Sequence, residues 1–323
     1  MNTRPLIASR DELISKPEME RPHVVILGAG ASVASCPNGD KNGRRLPTMD
    51  NVVEVVGLAP LLTKRATPFT DRNFETLYSS LASDLSQSDL IKELESEVRK
   101  YFSSLELPDH PTVYDHLLLS LRKKDAVFTF NWDPFLYDAW VRNHQRFELP
   151  GIFFLHGNVR ASYCLSHPHQ WGNPWVHCSE CHAQFVPTKI LYPVKVKDYA
   201  KDSFIASQWT SARWFLAEAF TLTIFGYAAP NSDVEAIDIM NAAWLHEGER
   251  LFEHIEIIDI KAQDDLYTTW RPFISHHHYV CRSSFYQSWI ANYPRRSSEA
   301  VYAPTAQGIV PLPVEIGAAG AEG

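Results

Sequence analysis

Short apolar runs that each end on a glycine or a polar side chain constrain this chain most. His23-Val-Val-Ile-Leu27 meets Gly28, and Ala126-Val-Phe-Thr-Phe130 meets Asn131-Trp-Asp133-Pro. Gly151-Ile-Phe-Phe-Leu155 meets His156-Gly-Asn158, Thr221-Leu-Thr-Ile-Phe225 meets Gly226-Tyr227, and Ile255-Glu-Ile-Ile runs into Asp259. Such runs are rich in β-branched and aromatic residues and do not alternate with polar ones. That is the pattern of strands buried on both faces of a parallel sheet. Helical patterns lie between them, so an α/β fold with a Rossmann-like parallel sheet is expected. In such sheets ligands sit outside the carboxyl ends of the strands. Asn131, Asp133 and His156 are therefore expected to face one pocket. The plain alternative is an Asn-Trp-Asp-Pro turn and a strand-end histidine.

The chain has 323 residues, 45% hydrophobic and 21% charged, with a formal net charge of -8. That suits one large α/β domain or two smaller ones with an ample core. The pI is near 5.9 and no basic patch stands out, so nucleic acid is not an expected partner. No apolar run is long enough to span a bilayer, and residues 1–20 read as a polar arm without the apolar centre of a signal peptide. Five cysteines, three of them in one segment, favour a reducing compartment and a metal site over a disulfide framework. A cytoplasmic protein is expected.

The first run is followed by Gly28-Ala29-Gly30-Ala-Ser32. Strand, glycine turn and small residues open a nucleotide-binding unit. Gly28 permits the turn, and Gly30 lets the backbone approach a phosphate. The third glycine of the full fingerprint is missing, since Val33 follows Ser32. Cys36 to Asp50 is dense in turn residues and reads as a lid or a surface excursion. A helical subdomain is expected at about 51–121. Asn73–Leu81 and Leu90–Phe102 carry apolar residues three and four apart, and their charges form a solvated face.

A Cys/His module is expected at about 160–195. Cys164-Leu-Ser-His167 and Cys178-Ser-Glu-Cys181 are two ligand pairs able to close on one zinc ion. Four protein donors leave no open position, so the ion would be structural. His169, His177 and His182 also lie near enough to supply the fourth ligand. Helices are expected at Ser203–Ala219, Val234–Trp244 and Phe285–Tyr293, and a last strand at Tyr279–Cys281. His276-His277-His278 precedes that strand and reads as loop or edge. Asp259 either holds a ribose hydroxyl or simply ends a strand. Residues 21–296 thus form the domain, and 297–323 read as a disordered tail.

The order of these motifs resembles the Sir2-like family. Gly28-Ala-Gly30-Ala-Ser32 comes first, then Thr129-Phe-Asn131-Trp-Asp133 and Leu155-His156-Gly157. A Cys-rich insert follows, then Phe225-Gly226-Tyr227 with Asp233 downstream. Over roughly residues 23–282 the chain is similar in particular to the prokaryotic Sir2-like NAD hydrolases of anti-phage defence. The resemblance implies NAD as substrate, a structural zinc, and cleavage between nicotinamide and ribose. By position, Gly28, Ala29, Gly30 and Ser32 would line the diphosphate, and Gly157 and Gly226 would lie along the cofactor. Asn131 and Asp133 would bind the nicotinamide ribose and the attacking water. His156 would act as general base or hold a ribose hydroxyl, and Asp259 would serve the adenosine ribose. The resemblance also implies control by homo-oligomerisation or by a partner ATPase or sensor. The family's deacylases carry a Gly-x-Pro-Asp-Phe-Arg loop and a Phe-Gly-Glu stretch; here Arg44–Asp50 and Lys189–Lys195 stand instead. Trp132 between Asn131 and Asp133 is expected to reshape the pocket. Hydrolysis to nicotinamide and ADP-ribose is the leading expectation. Protein deacylation and NAD or ADP-ribose sensing without turnover are the alternatives.

Overall fold

The computed structural model describes residues 19–64, 73–194, 198–229, 233–244, 254–274 and 278–307. The expected arm (bar its last two residues), His276, His277 and the tail beyond 307 lie outside them. Strand β1 (His23–Leu27) runs into helix α1 (Ala29–Ser35). Five helices follow: α2 (Val52–Val56), α3 (Ala59–Lys64), α4 (Phe74–Ala82), α5 (Ser88–Ser103) and α6 (Val113–Ser120). Then come β2 (Ala126–Thr129), α7 (Phe135–Asn143) and β3 (Gly151–Phe154). Three short strands, β4 (Ser162–Tyr163), β5 (Trp171–Gly172) and β6 (Val186–Pro187), form a separate antiparallel sheet. The chain closes with α8 (Ser203–Glu218), β7 (Thr221–Phe225), α9 (Val234–Trp244), β8 (His254–Ile258), α10 (Gln263–Ile274), β9 (His278–Arg282), α11 (Trp289–Asn292) and α12 (Ser297–Gln307).

The main sheet has six strands in the order β3-β2-β1-β7-β8-β9, and every pairing is parallel. Strand order reverses between β1 and β7, which is the topological switch point of a doubly wound, Rossmann-like sheet. The expected fold class is the observed one. Strands β1 and β7 are buried along their whole length, whereas β3, at one edge, alternates half-buried and buried residues. Each fully covered Val, Ile or Leu of β1 contributes about 1.5–3 kcal/mol relative to an exposed one.

The helical region packs as its pattern predicts. Leu90, Leu94, Val98 and Phe102 form the buried stripe of α5, one turn apart. Asn73 caps α4 by accepting the amides of Glu75 and Thr76. Thr112 and Asp115 form a capping box on α6, and Asp115 also receives the guanidinium and amide of Arg142 and Asn143 on α7. Burial pushes the Asp115 carboxyl up, but Arg142 and Thr112 outweigh it and hold it below the usual range.

The loop between α1 and α2 is fastened down. Buried Asp40 accepts the amides of Asn42, Arg44 and Glu106, and the Tyr101 hydroxyl donates to the Arg45 carbonyl. One expectation is corrected. Residues 297–307, read as the start of a disordered tail, form α12. Glu299 pairs with Arg122 at 2.7 Å, and the Ser297 hydroxyl meets His23 Nδ1 at 2.6 Å. Its anchors are polar residues whose partners lie far away in the chain, so no local pattern marks them. Among the described residues no helix is long and apolar enough to cross a membrane.

Candidate functional site

Three glycines join the two halves of the sheet at the switch point. The Gly28 amide donates to the Phe225 carbonyl at 3.0 Å, and the Gly30 amide to the Gly226 carbonyl at 2.9 Å. A Cβ on Gly28 would fall 2.5 Å from the Gly226 oxygen, and one on Gly30 2.8 Å from the Gly226 Cα. Gly226 itself has φ +60°, which an L side chain rarely adopts. Gly28 and Gly226 thus serve backbone-to-backbone packing, while Ala29 and Gly30 keep an outer face at the start of α1.

At the end of β2 four side chains converge. The Asn131 amide nitrogen donates to the Gly28 carbonyl at 2.8 Å and to Ser32 Oγ at 2.9 Å. Ser32 Oγ donates to Asp133 Oδ2 at 2.6 Å and shares a 2.7 Å bond with the Tyr114 hydroxyl. All four side chains are buried. Burial pushes the Asp133 carboxyl up to about 6, with the Ser32 hydroxyl and the Phe135 amide pulling the other way. Burial, reinforced by the Asp133 charge, carries the Tyr114 phenol well above its ordinary range. Trp132 does not turn into this cluster. It packs against Phe102 of α5 and Tyr192, towards the helical region.

At the end of β3, His156 is buried against aromatic rings. Phe130 stands edge-on to it with centroids 4.8 Å apart, and Tyr199 stacks on it at 5.8 Å. His156 Nε2 lies 3.1 Å from the Tyr199 hydroxyl and 3.9 Å from Asp233 Oδ1. Asp233 Oδ2 accepts the Tyr227 hydroxyl at 2.8 Å. Phe130 also stacks on Tyr227 at 4.2 Å, which joins both rings to the His156 group. Gly157, at φ +75°, lets the chain pass where a Cβ would sit 1.9 Å from the Lys189 carbonyl. Asn158 ties this loop to the other group by donating to the Asp133 carbonyl at 2.7 Å.

The structure therefore brings Asn131, Asp133 and His156 to neighbouring strand ends, and adds Tyr114, Tyr199, Tyr227 and Asp233. The sequence placed Asp233 in the motif order without a role. Tyr114 could have been located from the Thr112-x-x-Asp115 capping box. Tyr199 carries no sequence signal. Asp259 stands apart, past the switch point. Its amide donates to the Arg282 carbonyl, and its side chain lines a cavity of about 370 Å³ with Lys261, Arg282 and Gln287.

The Cys/His module gathers Cys164, His167, Cys178 and Cys181, whose donor atoms all lie within 4.8 Å of one another. His167 Nδ1 is 3.7 Å from Cys164 Sγ and 3.3 Å from Cys178 Sγ, and the Cys164 and Cys181 sulfurs are 3.4 Å apart. Tetrahedral zinc with Zn–S of about 2.3 Å and Zn–N of about 2.0 Å has donor–donor edges of roughly 3.5–3.8 Å. Glu180 sits 3.3 Å from His167 Nε2, the outer contact that orients a ligating imidazole. The donor set fits a structural zinc. His169 instead pairs with Glu180 at 2.9 Å, and His177 bridges to Gln184. Among the described residues, His167 is the histidine whose ring nitrogen stands with the three sulfurs.

No protein-family model matches the chain, and no curated protein matches it. Among solved structures, a Sir2 homologue in complex with NAD is 15% identical with a TM-score of 0.43, over 90% of this chain and 91% of that one. A Sir2 homologue mutant in complex with ADP-ribose is 13% identical with a TM-score of 0.43, over 94% of this chain and 100% of that one. A Sir2 enzyme structure addressing mechanism and regulation is 13% identical with a TM-score of 0.43, over 90% and 100%.

Proposed function

We propose that this chain hydrolyses NAD to nicotinamide and ADP-ribose. The observation that supports this reading is the grouping at the carboxyl edge of the sheet. A carboxamide (Asn131), a carboxyl poised near neutrality (Asp133) and an imidazole (His156) stand at adjacent strand ends on one side of the switch point. Asp259 and its cavity stand on the other side, four strand intervals from β3. At roughly 4.8 Å per interval that is about 19 Å, along the edge where dinucleotides lie in doubly wound sheets.

In the reaction a water oxygen attacks C1′ of the nicotinamide ribose. The C1′–N bond breaks with its electron pair going to the pyridinium nitrogen, and neutral nicotinamide leaves. The water proton passes to His156, the general base. Asn131 and Asp133 orient the ribose hydroxyls and the water, as fixed acceptors must around an oxocarbenium-like centre. Ser32, Ala29 and Gly30 face the diphosphate, and Asp259 takes the adenosine ribose. Asn131, Asp133 and His156 are each under 10% exposed. Bound zinc would hold the β4–β6 module together and take no part in the chemistry.

The motif order supports the wider reading: a cytoplasmic enzyme of anti-phage defence, silent until it assembles as a homo-oligomer or with an ATPase or sensor partner. The test is a chromatographic time course with NAD for wild type, His156→Ala and Asn131→Ala. Turnover in the wild type, lowered about 10²–10⁴-fold in both variants with the fold intact, is the expected result. Retained turnover in both variants overturns the site. NAD-dependent release of the acyl group from an acylated peptide would instead favour a deacylase. NAD binding without turnover, indifferent to His156→Ala, would favour a sensor.

A further inference from the structure

We infer that Asp233 is the charge partner of His156, a positioning residue that makes this imidazole a stronger base than its burial alone would allow. The inference rests on the hydrolase reading for its kinetic arm, but not for its physical one.

A buried imidazole resists protonation, because the cation loses its hydration. His156 is 6% exposed, with the uncharged rings of Phe130 and Tyr199 packed against it. Left so, it would be a poor proton acceptor near neutral pH. Asp233, 3% exposed, places Oδ1 3.9 Å from Nε2. The contact is longer than a hydrogen bond, but charge interaction needs no donor geometry and is strong where water is excluded. The Tyr199 hydroxyl, 3.1 Å from the same nitrogen, bridges the remaining space.

Asp233 is itself oriented by a hydrogen bond of the kind that favours a carboxylate. Tyr227 donates to Oδ2 at 2.8 Å, and burial together with the Asp233 charge keeps the Tyr227 phenol protonated far above neutrality. Among the described residues, Glu235 on α9 and Glu75 on α4 also reach these phenols with their charge. Both add negative potential and act in the same direction. When His156 takes a proton from water or from a ribose hydroxyl, the imidazolium is formed beside a carboxylate already oriented to receive it. The two residues come from the β3 end and the start of α9, on opposite sides of the switch point, so only the assembled sheet unites them.

The experiment is an NMR titration of ring-labelled histidine in wild type and Asp233→Asn, with His156→Gln assigning the His156 signal. The His156 midpoint should fall by about one unit or more in Asp233→Asn. Tyr227→Phe should move it the same way by less, and serves alone if Asp233→Asn does not fold. The acidic limb of kcat/KM for NAD hydrolysis should move down with the midpoint. An unchanged midpoint, or lower activity with an unmoved acidic limb, overturns the proposal. Absence of NAD turnover in the wild type would sink the hydrolase reading, and the titration would still decide whether Asp233 charges His156.

Discussion

The main sheet buries titratable groups at both ends, and the two ends use them differently. In the amino half, His23 Nε2 meets the Thr223 hydroxyl at 2.8 Å, and that hydroxyl reaches Glu256 Oε2 at 3.4 Å. Asp125 accepts the backbone amides of His23 and Arg122, while Arg122 itself pairs with Glu299. These contacts fasten backbone or pin α12. At the carboxyl end, the contacts run mostly between side chains that meet across strand ends at the switch point. A buried acid or histidine is therefore no sign of chemistry by itself. What separates the ends is where the backbone opens and what the side chains hold.

The comparison is broken most severely at Arg122. Arg122→Ala leaves Glu299 buried without its partner, and breaking a buried pair costs about 3–5 kcal/mol. Denaturant unfolding should show that loss while NAD turnover per folded molecule stays the same. Turnover falling in step with the mutation would mean the two ends are not separate devices.

A smaller effect, with a definite sign, comes from pH. Burial lowers His23 from 6.5 to about 3, so the folded state keeps it neutral. Its contribution is fully present above pH 6.5 and is lost as pH falls towards 3. Glu256 is raised by burial from 4.5 to about 7 and works the opposite way, its penalty easing as pH falls from 7 to 4.5. The difference between wild type and His23→Gln isolates the histidine. From pH 7 to pH 5 the wild type should lose about 2 kcal/mol relative to the variant. No pH-dependent difference in urea midpoints would mean that the fold does not shift the protonation of His23.

The smallest stability effect sharpens the other end. Tyr114→Phe removes a hydroxyl shared with Ser32 and Asn131 and should cost about 0.5–1.5 kcal/mol. Its NAD turnover should nevertheless fall, because Asn131 and the Ser32 hydroxyl that holds Asp133 lose an orienting partner. Unchanged turnover would place Tyr114 with the structural residues of the amino half.

Much of this was legible in the sequence because it is local. Apolar runs ending in functional groups gave strands β1, β2, β3, β7 and β8 in place, and the paired Cys and His spacing gave the donor cluster. The parts that escaped depend on distance. Tyr199 lies 43 residues from His156, and Glu299 lies 177 from Arg122. Neither pairing leaves a periodic trace. His167 could be told from His169, His177 and His182 only once the turn directed its ring nitrogen at the sulfurs. The packing of Gly226 against Gly28 and Gly30 likewise joins residues about two hundred positions apart.

The central position of β1 also sets a timetable for synthesis. One edge of β1 pairs with β2, about a hundred residues later, and the other waits for β7, about two hundred residues later. At roughly 5–20 residues per second the ribosome needs about 10–40 s to supply that second neighbour. Throughout that interval a largely apolar strand with an unpaired backbone edge is present on the nascent chain, the kind of edge that recruits other strands. The growing polypeptide is thus most vulnerable to self-association before the His156–Asp233 pair can exist, and any helper that shields β1 has its whole task between those two moments.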